Sequence, residues 1–156
     1  MALNAYMKIV GQKQGAIKGG VGRKGRENSI EVLDFDYSVV SPRDSASGLP
    51  TGRRQHQPVK VTVPTGQQTP QIFTYATTNE TLTSVEIDVY QPSQAGVESL
   101  AFTLKLANAS VSEFDLALAN DPGASTFTDV YSFTFQSITL TSPEGGTTAS
   151  DNWEIP

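Results

Sequence analysis

The sequence has 156 residues, no cysteine, 17% charged residues and a formal net charge of −5. A chain of this length buries roughly 68 to 70% of its unfolded surface, so it can form a core without disulfides or metal. The composition therefore excludes a small disulfide scaffold, and it indicates one domain over residues 1–156.

The charge is unevenly distributed along the chain. Ten of the eleven Lys and Arg residues lie within residues 1–60, which carry a net charge of +5, whereas the remainder carries −10. Nucleic-acid binding needs basic groups gathered on one surface, and the sequence pI of about 4.7 opposes it. We therefore expect no nucleic-acid partner.

No segment of the sequence is typical of membrane targeting. Polar residues such as Asn4, Lys8 and Gln12 interrupt the N-terminal segment, which therefore lacks the apolar core of about 7 to 15 residues that a secretory signal requires. No stretch approaches the roughly 20 apolar residues of a membrane span. We expect a protein that folds in the cytoplasm without a signal peptide and has no stable membrane insertion.

Apolar and polar residues alternate with period two along most of the chain, which predicts strands. The predicted strands cover residues 5–14, 29–40, 59–63, 85–90, 100–106 and 131–140. In the second of these the apolar face changes phase after Val32, so that Leu33, Phe35, Tyr37 and Val39 share the other face. A similar change follows Phe135 in the last, and each change predicts a β-bulge. The pattern indicates a mainly β fold, a compact antiparallel β-barrel.

One segment has helical rather than strand periodicity. Thr69 followed by Pro70 is typical of an N-cap with proline at the first helical position. Ile72, Phe73 and Ala76 then recur at helical spacing. We predict one short flanking α-helix over residues 70–78, with Ile72 and Phe73 covering one end or edge of the sheet.

Three stretches lack periodicity. Residues 41–57 form the longest internal one and contain Pro, Gly and Ser residues together with two adjacent arginines. Loops beyond about 12 to 15 residues are uncommon in compact domains and are usually functional or disordered. This stretch predicts a long extended loop that contacts a partner. Residues 120–128 and the tail, residues 142–156, are also predicted to be irregular.

A glycine-rich motif at Gly20–Gly25 matches the G-x-G-x-x-G pattern of dinucleotide sites. Such a site needs the glycines to lead into a helix, whose N-terminus holds the pyrophosphate. The residues that follow alternate like a strand. The motif therefore favours a charged hairpin loop, and we expect no cofactor.

The sequence offers no set of residues for catalysis or metal binding. Asp34 and Asp36 share one strand face, as do Glu86 and Asp88, which is typical of the solvated side of an antiparallel sheet. With His56 as the single histidine and no cysteine, ordinary zinc sites cannot be assembled. There is no G-x-S-x-G nucleophile motif. We expect a protein that is not an enzyme.

Seven segments, in order along the chain, resemble the hemolysin-coregulated protein (Hcp) family, the inner-tube subunits of bacterial type VI secretion systems. The segments that carry the resemblance are residues 5–11, 29–41, 51–58, 76–82, 103–109, 131–135 and 150–154. Their order and spacing together are specific, although each fragment alone is a weak signal.

The resemblance implies a tight β-barrel with a flanking helix, a homohexameric ring, and stacking of rings into a hollow tube. It implies sheath and spike proteins of the secretion apparatus as partners, and small effectors as cargo within the ring. It also implies secretion with the tube to the extracellular space or a target cell. The family has no catalytic residues to transfer to this sequence.

Candidate contact residues follow from the long loop and from the ring that the resemblance implies. We expect residues 41–57 to reach a neighbouring ring, where Arg53 and Arg54 meet acidic groups. Asp44 and His56 are further candidate inter-ring or inter-subunit contacts. Trp153, the only tryptophan, is the candidate anchor of the C-terminal tail.

Two alternative functions remain open from the sequence. The first is a tail-tube subunit of a phage or related contractile injection device, which would share the barrel and the ring. The second belongs to another class, a β-sandwich carbohydrate-binding module in which Trp153 or Tyr90 stacks on a sugar.

Overall fold

The computed structural model describes residues 3–22, 24–93 and 95–153. Within these ranges lie twelve β-strands and one α-helix. In chain order they are β1 (Asn4–Gly11), β2 (Gly15–Ala16), β3 (Ile30–Val32), β4 (Asp34–Asp36), β5 (Val39–Val40), β6 (Gln55–His56), β7 (Val59–Pro64), α1 (Thr69–Thr78), β8 (Leu82–Pro92), β9 (Glu98–Asp121), β10 (Ala124–Thr134), β11 (Ser137–Ser142) and β12 (Thr147–Asn152). The prediction of a mainly β fold with one helix is confirmed.

Ten of these strands form one large antiparallel sheet. Its strand order is β2-β1-β8-β9-β10-β7-β4, and β3, β11 and β12 attach to it through β1, β9 and β11 respectively. The short strands β5 and β6 pair separately with each other. All of these ladders are antiparallel, as the period-two patterns predict.

Residues 30–36 connect the two ends of the large sheet. β3 pairs with β1, where Ile30 lies opposite Met7. β4 pairs with β7, where Asp36 lies opposite Lys60. Between them, the Leu33 amide donates to the carbonyl of Thr62 at 2.8 Å. One short segment thus makes the connection between the sheet ends that the predicted barrel requires.

This connection explains the change of phase that the sequence shows after Val32. The predicted bulge is wrong, because the chain changes its partner strand there, from β1 to β7. Leu33 is 55% exposed and Val39 is also exposed, so the predicted shared face is wrong at those two positions. Phe35 and Tyr37 do pack against the core.

The two halves of β9 pair with different strands of the sheet. Residues 98–109 pair with β8 and, over residues 103–107, with β11 on the other edge. Residues 110–121 pair instead with β10. The change of partner lies beside Asn108, whose φ of 49° falls in the left-handed region that asparagine tolerates better than most residues.

The second half of the chain is more regular than its sequence predicts. Residues 120–128 were expected to be irregular, but Pro122 and Gly123 alone form the turn of a long β9–β10 hairpin. The predicted bulge after Phe135 is a break between β10 and β11. Residues 142–156 were also expected to be irregular, yet β12 pairs with β11. These polar, Thr- and Ser-rich segments lack clear alternation because neither of their faces is buried deeply.

The helix begins one residue earlier than predicted. Gln68 is its N-cap and Thr69 its first residue, and the Thr69 hydroxyl contacts the buried carboxylate of Asp129 at 2.5 Å. Ile72 is fully buried, as predicted. Phe73, expected to cover the sheet, is 53% exposed, and Tyr75 takes the buried position instead.

Asp129 is a carboxylate with no measurable exposure. It accepts hydrogen bonds from the hydroxyls of Thr65, Thr69 and Tyr131. Burial, together with the hydrogen bond to Asp129, raises the pKa of Tyr131. Three donors offset the cost of burying this charge, and they fix the start of α1 against β7 and β10.

The buried apolar side chains form one cluster between the sheet and α1. Its fully buried members include Met7, Val59, Val61, Val63, Ile72, Tyr75, Leu82, Val85, Ile87, Leu106, Tyr131 and Phe133. All three valines of β7 are among them, as their alternation predicts.

Gly11 lies where the core leaves no room for a side chain. A Cβ atom at this position would lie 2.7 Å from the Glu80 carboxylate and against the hydroxyl of Tyr75. That carboxylate accepts hydrogen bonds from the amides of Lys13 and Gln14, at 3.0 and 3.2 Å, and so holds the turn after β1. Burial, followed by the nearby Glu80, raises the pKa of Tyr75 to about 12.

We predict that Gly11→Ala lowers the free energy of unfolding by about 1–3 kcal/mol, because the added methyl group overpacks this site. Urea unfolding of the two proteins measures the difference. Gly52→Ala is the control, since no atom lies within 4 Å of a Cβ there. Equal stability of Gly11→Ala and the parent protein would contradict this account of the site.

Candidate assembly interface

The strand order gives the molecule two distinct ends. Residues 41–54, here called the arm, leave the body after β5 and return through β6 to Val59, the first residue of β7. The other end of β7, about 17 Å away at the usual strand rise, leads through Thr65 and Gly66 into α1. We call these the arm end and the helix end.

The arm is exposed along most of its length. It is more ordered than the predicted loop, because β5 and β6 pair at its base. Farther out, Arg43 and Pro50 form an isolated β-bridge, and the amide of Thr51 donates to the carbonyl of Pro42. The arm is therefore a narrow two-stranded projection.

Asp44, one of the candidate contacts, shapes the tip of the arm. Its carboxylate accepts hydrogen bonds from the hydroxyl and amide of Ser47, at 2.6 and 3.1 Å. The bond from the hydroxyl is the main cause that lowers the pKa of Asp44. Backbone bonds also join Asp44 to Gly48 and Leu49. The tip is held in one turn that leaves the side chain of Leu49 exposed.

Four side chains at the base of the arm form a hydrogen-bonded cluster, which we call the arm clamp: Tyr37, Arg54, His56 and Asp151. The Asp151 carboxylate contacts His56 Nε2 at 2.7 Å and receives both Nε and Nη2 of Arg54. His56 Nδ1 lies 2.6 Å from the Tyr37 hydroxyl. Both contacts of the imidazole are satisfied when Tyr37 donates to Nδ1 and Nε2–H donates to Asp151.

The clamp joins the arm to β12, the last strand described. The hydrogen bond from Arg54 is the main cause that lowers the pKa of Asp151 to about 2. Arg54 was expected to meet an acidic group of a neighbouring ring, and here it contacts an acidic group of its own chain. No pattern in the sequence links the positions of Arg54 and Asp151.

Trp153 lies beside the clamp. Its ring centroid is 5.2 Å from that of His56 and 6.3 Å from that of Phe135. Its carbonyl accepts a hydrogen bond from Arg53 at 2.7 Å, and its amide donates to Gln136. The side chain remains 41% exposed.

The candidate contacts predicted from the sequence therefore fall into two places. Arg53, Arg54, His56 and Trp153 line one cavity of about 170 Å³ at the arm end. Asp44 lies apart from them, at the tip of the arm.

The β9–β10 hairpin carries an exposed apolar surface that the sequence analysis missed. Leu118 lies opposite Phe127 in the register, and both are exposed, Leu118 by 66%. Leu116 and Phe73 of α1 extend this surface. We call these four residues the hairpin face. Exposed apolar patches of this kind usually mark interaction sites.

The hairpin face is continuous with the hydrophobic core through stacked aromatic rings. Phe114 stacks on the buried Tyr131 with ring centroids 5.6 Å apart, and Phe73 packs edge-on against Phe114 at the same distance. The alternation of Phe114, Leu116 and Leu118 was a readable signal in the sequence. The predicted end of the strand at residue 106 concealed it.

One edge of the hairpin also lacks a partner strand. Over residues 110–121, β9 pairs with β10 alone among the strands that the structure describes. An exposed edge of this length presents unpaired amides and carbonyls, which natural proteins usually cover.

Tyr90, considered for stacking on a sugar, has one face of its ring covered. The guanidinium carbon of Arg26 lies 3.6 Å from the centre of that ring, and Arg26 also pairs with Glu98 at 2.8 Å. A sugar would have to displace this cation.

Within residues 3–22, 24–93 and 95–153, no group of three or more acidic or histidine side chains could hold a metal ion. No helix in these ranges has the length and apolar character that crossing a membrane requires.

Comparison with known proteins gives consistent results. Residues 6–141 match the family model described as type VI secretion system effector, Hcp. The chain is 39% identical to the "Major exported protein" of Pseudomonas aeruginosa, over 100% of this chain and 98% of that protein.

Solved structures also resemble nearly all of the chain. The crystal structure of an Hcp protein superposes with a TM-score of 0.91 at 27% identity, covering 97% of this chain and 98% of the other. The secreted protein Hcp3 from Pseudomonas aeruginosa gives 0.82 at 28% identity, with 97% and 99% covered. Together with the match to the family model, these likenesses show that the chain belongs to the Hcp family of the type VI secretion system.

Proposed function

We propose that this chain is a tube subunit that assembles into six-membered rings, and that these rings stack into a hollow tube. Membership of the Hcp family supports this role. The observation that carries the proposal is the hairpin face, an apolar surface that is continuous with the core and exposed in the single chain. The role is structural and needs no catalytic residue.

A ring closes when one patch on a subunit meets a different patch on the next, and the rotation returns to the start. The hairpin face is the first patch in this proposal. It offers Leu116, Leu118 and Phe127 on a hairpin, together with an edge of β9 that no other described strand pairs with over residues 110–121. Burial of such side chains contributes about 1.5–3 kcal/mol each, which is a useful share of the energy needed to hold neighbouring subunits together.

Stacking uses the two ends of the subunit. Because the arm end and the helix end differ, rings that stack head to tail bring unlike surfaces together at every level. In this proposal the arm contacts the next ring, and the bonds of Asp44 to Ser47 order its tip. Arg53, Arg54 and His56 act at its base, where the clamp sets the direction of the arm. Trp153 anchors the C-terminal tail at the same place.

Export of the chain and its contacts with other proteins of the apparatus follow from the same role. A relative of this chain is named a major exported protein. We infer that the chain assembles in the bacterial cytoplasm and leaves with the tube, in contact with sheath and spike proteins. Small effectors travel within the ring.

We predict that Leu118→Asp dissociates the rings into monomers, because it places a charge in the centre of the hairpin face. Size-exclusion chromatography with light scattering measures the mass, and circular dichroism checks the fold. Thr126→Asp is the matched control, since it adds the same charge on the opposite, solvent-facing side of the hairpin. Rings that persist in Leu118→Asp at micromolar concentration would refute a role for this face in ring closure.

The arm clamp makes the stability of the folded chain depend on pH. The folded chain holds the pKa of Asp151 at about 2, below the ordinary value of 3.8. The ionised carboxylate therefore contributes stability above pH 3.8, and this contribution is lost as the pH falls through 2. The stability difference between the parent protein and Asp151→Asn is expected to shrink as the pH falls from 4 to 2.

Urea unfolding followed by Trp153 emission measures this difference at each pH. Asp36→Asn removes an exposed carboxylate outside the clamp and serves as the control. A difference between the parent protein and Asp151→Asn that stays constant from pH 5 to pH 2 would argue against the ion pair with Arg54.

A further inference from the structure

An open groove of about 460 Å³ lies beside Trp153, and we call it the polar groove. Its volume falls within the roughly 300–1,000 Å³ that small-molecule sites occupy. None of its described lining residues is charged, and those with a polar or exposed side chain are Thr81, Asn108, Ser110, Thr134, Gln136 and Trp153. A lining of this kind suits a ligand that is polar but neutral.

Trp153 presents a fixed aromatic surface to the polar groove. Its ring centroid lies 5.2 Å from that of His56 and 6.3 Å from that of Phe135, and its backbone amide donates to the carbonyl of Gln136 at 3.0 Å. The side chain is still partly exposed. A ring that is already held in place loses little conformational entropy when a ligand stacks on it. Trp153 therefore provides an apolar platform beside the polar side chains of the groove.

Two side-chain amides stand next to this platform. Asn108 Nδ2 donates to Gln136 Oε1 at 2.7 Å, and within the described ranges neither side chain makes another hydrogen bond. A primary amide has two N–H donors and an oxygen acceptor. The bond between the two residues therefore leaves Gln136 Nε2 able to donate to a ligand and Asn108 Oδ1 able to accept from one.

A pair of hydroxyl groups continues the polar wall. Ser110 and Thr134 lie opposite each other in the β9–β10 ladder, and their hydroxyl oxygens are 3.0 Å apart. One hydroxyl donates to the other, so the pair retains one O–H donor and further acceptor capacity. These groups sit on paired strands, which hold them more precisely than a loop would. Sugar hydroxyls match such a wall, because each of them both donates and accepts.

We propose that the polar groove binds neutral oligosaccharides of β-linked, glucose-type rings, with one ring stacked on Trp153 and its hydroxyls bonded to Asn108 and Gln136. The hydroxyls of such a ring are equatorial, so its axial hydrogens form a flat apolar face that fits an indole ring. An open groove admits the linked rings of a longer chain. This binding function is separate from assembly, since none of these residues belongs to the hairpin face.

Trp153 reports binding directly, because it is the only tryptophan in the sequence. Titration of the purified protein with cellotetraose is expected to give a saturable blue shift of the emission, because stacking removes water from the indole. Tetragalacturonate, whose rings carry a carboxylate and an axial hydroxyl, is expected to give no shift. The absence of a saturable shift with cellotetraose, or equal shifts with both sugars, would overturn the proposal.

The amide of Gln136 is tested with a substitution of similar length. Gln136→Met is expected to raise the dissociation constant for cellotetraose by about two- to tenfold, because one hydrogen bond to the sugar is lost. Gln71→Met makes the same change on the exposed side of α1, outside the groove, and is expected to bind like the parent protein. An unchanged dissociation constant for Gln136→Met would contradict the assignment of the groove.

The platform is tested by isothermal titration calorimetry, because the variants of Trp153 lose the fluorescent reporter. Trp153→Ala is expected to weaken binding by about tenfold, and circular dichroism checks its fold. Trp153→Phe keeps an aromatic ring beside His56 and is expected to bind more tightly than Trp153→Ala. Parent-like affinity of Trp153→Ala, or equal affinities of the two variants, would show that the sugar does not stack on this ring.

Discussion

The pairing of residues 30–36 with both β1 and β7 is the constraint on which the rest of the structure depends. These seven residues belong to two ladders, and the change of partner at Leu33 joins the ends of the large sheet. The direction of this segment also fixes the polarity of the molecule. It begins beside the glycine-rich loop and leads directly to the arm, so these two features lie at opposite ends of one subunit.

β9 has a comparable role on the other side of the molecule. Its first half is held between β8 and β11, whereas its second half extends with β10 as a hairpin, one edge of which has no partner among the described strands. The apolar alternation continues along this hairpin, from the buried Tyr131 opposite Phe114 to the exposed Leu118 opposite Phe127. The apolar alternation that fills the core thus continues onto an exposed surface. Such a surface is suited to contact another copy of the chain, and we propose that this copy is the neighbouring subunit of the ring.

The sequence predicts the positions of the strands and the helix better than it predicts which strands pair with each other. The valines of β7 and the apolar residues of β8 appear in the structure as their alternation indicates, since each strand has one deeply buried face. The phase changes after Val32 and Phe135 are real, but period-two reasoning assigned them to bulges. Whether a strand bulges or changes its partner depends on strands that are distant in the sequence. Local periodicity carries no information about those strands.

The candidate site was only partly predictable for the same reason. The length and polarity of residues 41–57 identify the arm, and adjacent arginines mark its base. Asp151, which binds Arg54 and His56, lies almost one hundred positions away in a polar strand with no distinguishing pattern. Phe73 was also only partly predictable, because it packs against Phe114 of the sheet as the helical spacing indicates, yet it stays 53% exposed and Tyr75 takes the fully buried position.

The central claim is that this 16.7 kDa chain builds a tube from rings of its own copies. Negative-stain electron microscopy of the purified, concentrated protein tests it most directly. We expect hollow six-membered rings in end view and stacks of them in side view. A uniform population of single 16.7 kDa particles at high protein concentration would contradict the claim.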